Sequence, residues 1–288
     1  SVGELAAAKL DDVLAAWAGL GYYARARNLH KCAVVVARAG GNFPDTESGL
    51  LKLPGIGPYT AAAIAAIAFH RAVVPVDGNV ERVASRLGAI ETELPVAKKE
   101  LRLAAQSFAS PMRPGDVAQA LMDLGAMVCT PRAPKCSDCP MITQCRAHEK
   151  DITQELPRRV LKKPRPVRRG IAFWLARADG AVLMRRRPEY GLLGGMLEVP
   201  STPWRNKVWL DSEAVGYAPI TQDWKSVNGV VGHTFTHFHL DIVVWLGVGQ
   251  SWENDWADWL WVKPEEFNKR AVPVLMQKIA RHALVSRA

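Results

Sequence analysis

The chain has 288 residues, 49% of them hydrophobic and 23% charged, which is enough material for two ordinary globular domains. No run of 18 apolar residues occurs, which excludes a membrane-spanning helix. The formal charge of +9 is concentrated: residues 1–155 carry 17 basic and 16 acidic side chains, 156–170 carry seven and none, and 171–288 carry 13 and 12, so charge alone marks no extended polyanion-binding surface.

The first residues, Ser1-Val-Gly-Glu-Leu-Ala6, have neither an initiator Met nor a signal-peptide pattern, and the chain is expected to start inside a longer protein. Leu10, Val13, Leu14 and Trp17 recur at helical spacing, as do Leu29, Cys32, Ala33 and Val36. Between them Trp17-Ala-Gly-Leu-Gly-Tyr-Tyr-Ala-Arg-Ala-Arg-Asn28 forms a glycine-punctuated connection. Tyr22 beside arginines suits stacking into a nucleic acid, whereas Tyr23 equally suits a core cap. Further helices are expected at about 47–53, 58–69, 78–90, 96–108 and 115–128, making the first half all-α.

Within that half, Leu53-Pro-Gly-Ile-Gly-Pro-Tyr-Thr60 reads as a turn between two helices, with Pro58 at a first helical position. Gly55 and Gly57 would let the backbone approach a partner closely, and the free N–H groups of the second helix suit a DNA phosphate. An ordinary helix–turn–helix core element fits the same spacing. Asp77 precedes Gly78-Asn79-Val80-Glu81-Arg82, a helix start, so it fits a plain N-cap and also a carboxylate placed for chemistry.

Cys129-x6-Cys136-x2-Cys139-x5-Cys145 packs four thiols into 17 residues among Pro131, Pro134 and Pro140. Such crowding points to metal ligation in a reducing compartment, as a tetrahedral zinc or a [4Fe–4S] cluster. A single Cys-x-x-Cys pair tilts the choice toward the cluster. Cys32 lies on an apolar helix face and reads as inert core.

Residues 156–169 form a Pro-containing basic segment that fits a solvated interdomain linker, a polyanion track, or both. Beyond it, Asp179-Gly180 between Gly170–Ala176 and Ala181–Arg186 signals a hairpin, and residues 230–248 alternate in strand fashion. Helical periodicity returns near Asp211–Ala214 and in Val274–Val285. This half reads as α+β, with its nine tryptophans taken as packing. His233, His237 and His239 share one strand face, where packing or phosphate contact is favoured over a metal site.

The turn Leu53–Gly57, Val76-Asp-Gly-Asn79, the cysteine spacing, Trp17–Asn28, Leu124–Thr130 and Phe235-Thr-His237 together resemble the helix–hairpin–helix, iron–sulfur DNA glycosylases, and specifically the adenine-excising ones. The resemblance implies residues 1–150 as an all-α glycosylase domain with a [4Fe–4S] loop, 151–170 as linker, and 171–288 as a nudix-like domain that reads the oxidised base. It implies removal of adenine opposite 8-oxoguanine (or guanine) in double-stranded DNA by a monomer in the cytoplasm, associated with the nucleoid. By the same resemblance Asp77 is the catalytic aspartate supported by Tyr59 and Asn79. Gly55, Gly57 and Tyr22 contact DNA, with Tyr22 as a wedge, and Phe235, Thr236 and His237 lie where the 8-oxoguanine contact is made, Thr236 replacing the usual Ser.

Tyr59 stands where endonuclease III-like lyases carry the Schiff-base Lys, so a monofunctional enzyme is expected. Lys52 precedes the turn and is not assigned that role. The resemblance also implies a general-acid Glu on a helix preceding Trp17–Asn28. Glu4 does not fit it, and the chain is expected to lack those first helices and to be poorly active alone. In Gly191–Pro200 the nudix hydrolase signature is missing, since the sixth residue after Gly195 is Ser201 and not Glu. Binding is therefore expected there instead of pyrophosphate hydrolysis. A lyase of the endonuclease III kind and a lesion-binding fragment without catalysis are the competing readings.

Overall fold

The computed structural model describes residues 1–161, 164–249 and 258–285; Lys162 and Lys163 of the basic segment, and Trp252 and Trp256, lie outside the described residues. The first half forms helices α1 (Val2–Ala7), α2 (Leu10–Ala16), α3 (Ala24–Arg38), α4 (Glu47–Leu50), α5 (Pro58–Phe69), α6 (Gly78–Gly88), α7 (Lys98–Gln106), α8 (Pro114–Asp123) and α9 (Arg146–Glu149). Contacts divide the chain into two compact units: Cys32–Lys162, and Gly3–Lys31 together with Lys163–Ala288. No helix among the described residues is long and apolar enough to cross a membrane.

In the helical unit the ends of α5 and α6 follow from local chemistry. Gly57 and Pro58 start α5, which stops at His70 in the left-handed region (φ 52°). Asp77 caps α6, which stops at Ala89 (φ 49°). Val80, Val83 and Ala84 of α6 pack with Leu101 and Ala105 of α7 and Leu121 of α8 into one core. A second core joins Cys32 and Val36 of α3, Leu50 of α4, and Ala61 and Ala65 of α5. Burial pushes the Cys32 thiol pKa up, as suits an unreactive core residue. At Gly115 an added Cβ would lie 3.2 Å from Ile67 Cα, so α8 meets α5 backbone to backbone.

The helix expected over 115–128 divides after Asp123, and Leu124–Val128 forms one turn of π-helix. There an added Cβ on Gly125 would come 2.7 Å from Asn79 Cβ, so only glycine admits this approach to α6.

The second unit is built on a mixed sheet with strands β1 (Val167–Arg177), β2 (Val182–Arg186), β3 (Leu197–Glu198), β4 (Lys225–Ser226), β5 (Val231–Thr234), β6 (His239–Gly249) and β7 (Trp259–Val262). The order is β3-β2-β1-β6-β4, with β5 also paired to β6 and β7 to β2. β1 and β6 run parallel in register from Val167↔His239 to Arg177↔Gly249. The β1–β2 hairpin turns at Asp179-Gly180, where Gly180 has φ 85°. Short α10 (Asp211–Ala214) precedes β4, and α11 (Val274–Val285) lays Leu275, Met276 and Ile279 against Trp174, Leu240 and Ile242. Phe173, Trp209 and Trp245 form a smaller cluster with Ile171 and Ala214. Leu14, Tyr23 and Ala26 from the N-terminal segment pack with Met196 and Ala271 of this same unit.

Candidate active site and cysteine centre

In the turn before α5, Gly55 has φ 75°, a conformation that penalises a side chain, while Gly57 is extended (φ −89°, ψ 176°) as any residue can be. A Cβ on Gly57 would meet nothing within 4 Å, so its bareness relieves no contact inside the chain. Just beyond it, Tyr59 and Thr60 carry N–H groups of the kind every helix start leaves without an intrahelical acceptor. Tyr59 is 41% exposed, and its hydroxyl donates to Met122 Sδ of α8 at 3.3 Å.

Asp77 is half-buried and caps α6 with one oxygen: Oδ1 accepts from the N–H groups of Asn79 (2.9 Å) and Val80 (2.8 Å). No hydrogen bond to Oδ2 is found among the described residues. Asn79 Oδ1 accepts from Arg82 Nη2 at 2.9 Å, and the same guanidinium reaches the Gly125 carbonyl (2.6 Å) and the Cys129 carbonyl (2.7 Å). Burial pulls the Arg82 pKa down, opposed by the charges of Cys129 and Asp77.

One turn along α6, Arg86 is only 2% exposed. It donates to the carbonyls of Leu156 (3.1 Å), Thr130 (2.7 Å) and Pro131 (3.3 Å) and to Cys129 Sγ (3.3 Å), while Cys145 Sγ lies 3.5 Å from its carbonyl oxygen. Sequence reasoning did not single out Arg82 and Arg86. The signal was present as two arginines four apart, which share a helix face with each other.

Cys129, Cys136, Cys139 and Cys145 all line one cavity, together with Val83, Leu87, Ile142 and Arg86, and none is in a disulfide. Among the described residues no three His, Cys, Asp or Glu converge on a point fit for a single metal ion. Burial first, and then the charges of Cys145, Cys129 and Cys139, push the Cys136 thiol pKa up, with Arg86 opposing. The four thiols around one cavity suit a cationic centre that would bind them as thiolates.

In the sheet-bearing unit, Phe235–Phe238 forms the turn between β5 and β6, closed by Phe235 N–H to the Phe238 carbonyl at 2.9 Å. The Phe235 ring stacks on Trp204 at 5.7 Å and meets His233 edge-on at 4.6 Å, so it packs within the fold. Thr236 and His237 are the exposed members of the turn. The three histidines divide between β5 (His233), the turn (His237) and β6 (His239): among the described residues His233 Nδ1 is buried without a hydrogen bond, and His239 bonds Thr234 Oγ1 (2.8 Å) and contacts Asp241 (3.2 Å). Glu198, the carboxylate within Gly191–Pro200, is 1% exposed and held by both Arg185 and Arg187, leaving it poorly placed to bind Mg²⁺.

Tyr22 belongs to this second unit. It is 70% exposed in the left-handed region (φ 47°), while Tyr23 is buried.

Two family models match: "HhH-GPD superfamily base excision DNA repair protein" over residues 1–110 and "NUDIX domain" over 171–282. The helical half is thus matched to a base-excision-repair family and the sheet-bearing half to a nudix domain. It is 34% identical over 339 residues to the adenine DNA glycosylase of Homo sapiens, covering 96% of this chain and 61% of that one. The Arabidopsis thaliana enzyme is 45% identical over 64% of this chain and 32% of its own length. The Buchnera aphidicola (subsp. Schizaphis graminum) enzyme is 28% identical over 97% of this chain and 81% of its own. The chain is similar to adenine DNA glycosylases over most of its length, and it spans about 61% of the human relative's length.

Proposed function

We propose that the protein excises adenine paired with 8-oxoguanine in double-stranded DNA as a monofunctional glycosylase. Residues 1–150 supply chemistry and 171–288 lesion reading, joined by the basic segment 151–170. The observation that carries the reading is the Asp77 carboxylate: Oδ1 takes both cap hydrogen bonds, so the group is fixed by α6, while no hydrogen bond to Oδ2 is found among the described residues. Breaking an N-glycosidic bond leaves a cationic, oxocarbenium-like sugar, and a fixed carboxylate stabilises that charge without reorganising. Asn79 supports the site through Arg82, and Tyr59 offers a phenol where a Schiff base would need an amine.

The cysteine loop fits a [4Fe–4S] cluster better than zinc. Four thiols line one cavity, and they include a single Cys-x-x-Cys pair where zinc ribbons tend to use two. Cys129, Cys136, Cys139 and Cys145 would hold the cluster, which would tie the ends of the loop together. Arg86 then holds the loop carbonyls and donates to Cys129.

Incubating the full-length protein with duplexes carrying adenine opposite 8-oxoguanine, adenine opposite thymine, and thymine opposite guanine tests the reading. Free adenine from the first duplex alone is expected. Release of a pyrimidine, or of no base, overturns it.

A further inference from the structure

The segment that presents Tyr22 is fastened to a glycine loop of the sheet-bearing unit by a buried arginine. Arg27 is 8% exposed and donates from Nη1 to the Gly194 carbonyl at 2.8 Å, its one side-chain hydrogen bond among the described residues. No carboxylate pairs with it among the described residues, and burial pulls its pKa down. A guanidinium kept from water on a single neutral acceptor is costly, so the contact needs a compensating role.

Both sides of the contact are stiff. The Gly194 loop is cross-tied by Gly194 N–H to Gly191 O (3.3 Å), Met196 N–H to Leu193 O (3.2 Å) and Arg187 Nε to Leu192 O (3.0 Å). An added Cβ on Gly194 would meet Glu189 O at 2.5 Å, so the loop closes on itself only with glycine there. On the other side, Trp17 Nε1 donates to Gly21 O (3.0 Å), and Tyr23 is seated in the core with Met196. Arg186 adds a parallel tie, reaching the Gly195 carbonyl (2.9 Å) and both oxygens of Asp11 (2.9 and 2.8 Å).

We propose that Arg27 is a positioning residue that locks the Tyr22 turn to the Gly191–Met196 loop, so that the wedge and the lesion-reading unit act as one body. This rests on Tyr22 contacting DNA, and the test separates the two claims. Hydrogen exchange of the free protein judges the lock. In Arg27→Ala, exchange should rise about tenfold in both 19–27 and 188–196, with Arg27→Lys, which keeps a donor, restoring most protection. A rise confined to 19–27, or none, overturns the lock.

Fluorescence of 2-aminopurine beside the mispair judges the coupling. Arg27→Ala and Tyr22→Ala should each lower the unstacking signal, and the double variant should lower it no further than Tyr22→Ala alone. Additive losses would contradict the coupling. If Tyr22→Ala leaves the signal unchanged, the wedge reading fails, and with it the coupling.

Discussion

Arg82 donates from Nε to the carbonyl of Cys129 at 2.7 Å, joining the helix that Asp77 caps to the first cysteine of the loop. The bond is partly buried, and three of the four remaining guanidinium protons go to Asn79, Gly78 and Gly125. Arg82→Ala would leave these acceptors unsatisfied, at about 1–3 kcal/mol for each buried group that water does not reach. The expected outcome is a lower melting temperature together with loss of excision. Arg82→Ala with unchanged stability and iron content would mean that the network does not couple helix to loop.

The protein purified without chelators should be brown and carry about four irons per chain, as four thiolates on one cluster require. Cys145→Ala should lower iron content and DNA affinity together. Colourless protein holding one zinc would contradict the cluster.

Discrimination between adenine opposite 8-oxoguanine and adenine opposite guanine should fall in Thr236→Ala and His237→Ala by about 1–3 kcal/mol, the scale of one good base contact. Binding titrations on the two duplexes read it, and equal losses on both would assign these residues to backbone contact. Phe235→Ala is a poorer probe, because its ring stacks on Trp204 and its removal also costs packing.

That difference shows what was legible in the sequence. Gly57-Pro58 and Asp77 mark helix starts through their own backbone chemistry, so α5 and α6 begin where read. The Asp179-Gly180 hairpin is equally local. Arg82, Arg86 and Glu198 were not legible as structural residues, because a charge on a helix or strand usually faces water and their partners lie up to 70 residues away. The packing of residues 3–31 with 163–288 has no local signal at all.

Acid should weaken the sheet-bearing unit. Burial chiefly, then Lys278 and His239, lower the folded pKa of His233 below its usual 6.5. The unfolded chain therefore binds the proton first as pH falls, so this stability is present above about pH 6.5 and is lost as pH drops through the lowered folded value. Thermal melts of wild type and His233→Gln should diverge above that pH and converge below it; parallel curves throughout would contradict the assignment.

The most direct measurement is single-turnover adenine release by the full-length protein and its Asp77→Asn variant, on a duplex with adenine opposite 8-oxoguanine. The amide oxygen of the variant can still accept from Asn79 and Val80, so folding and DNA binding should persist while the charge is gone. Excision should fall by about 10²–10⁴ or more. A folded Asp77→Asn variant that released adenine at the wild-type rate would reduce Asp77 to a helix cap and contradict the account.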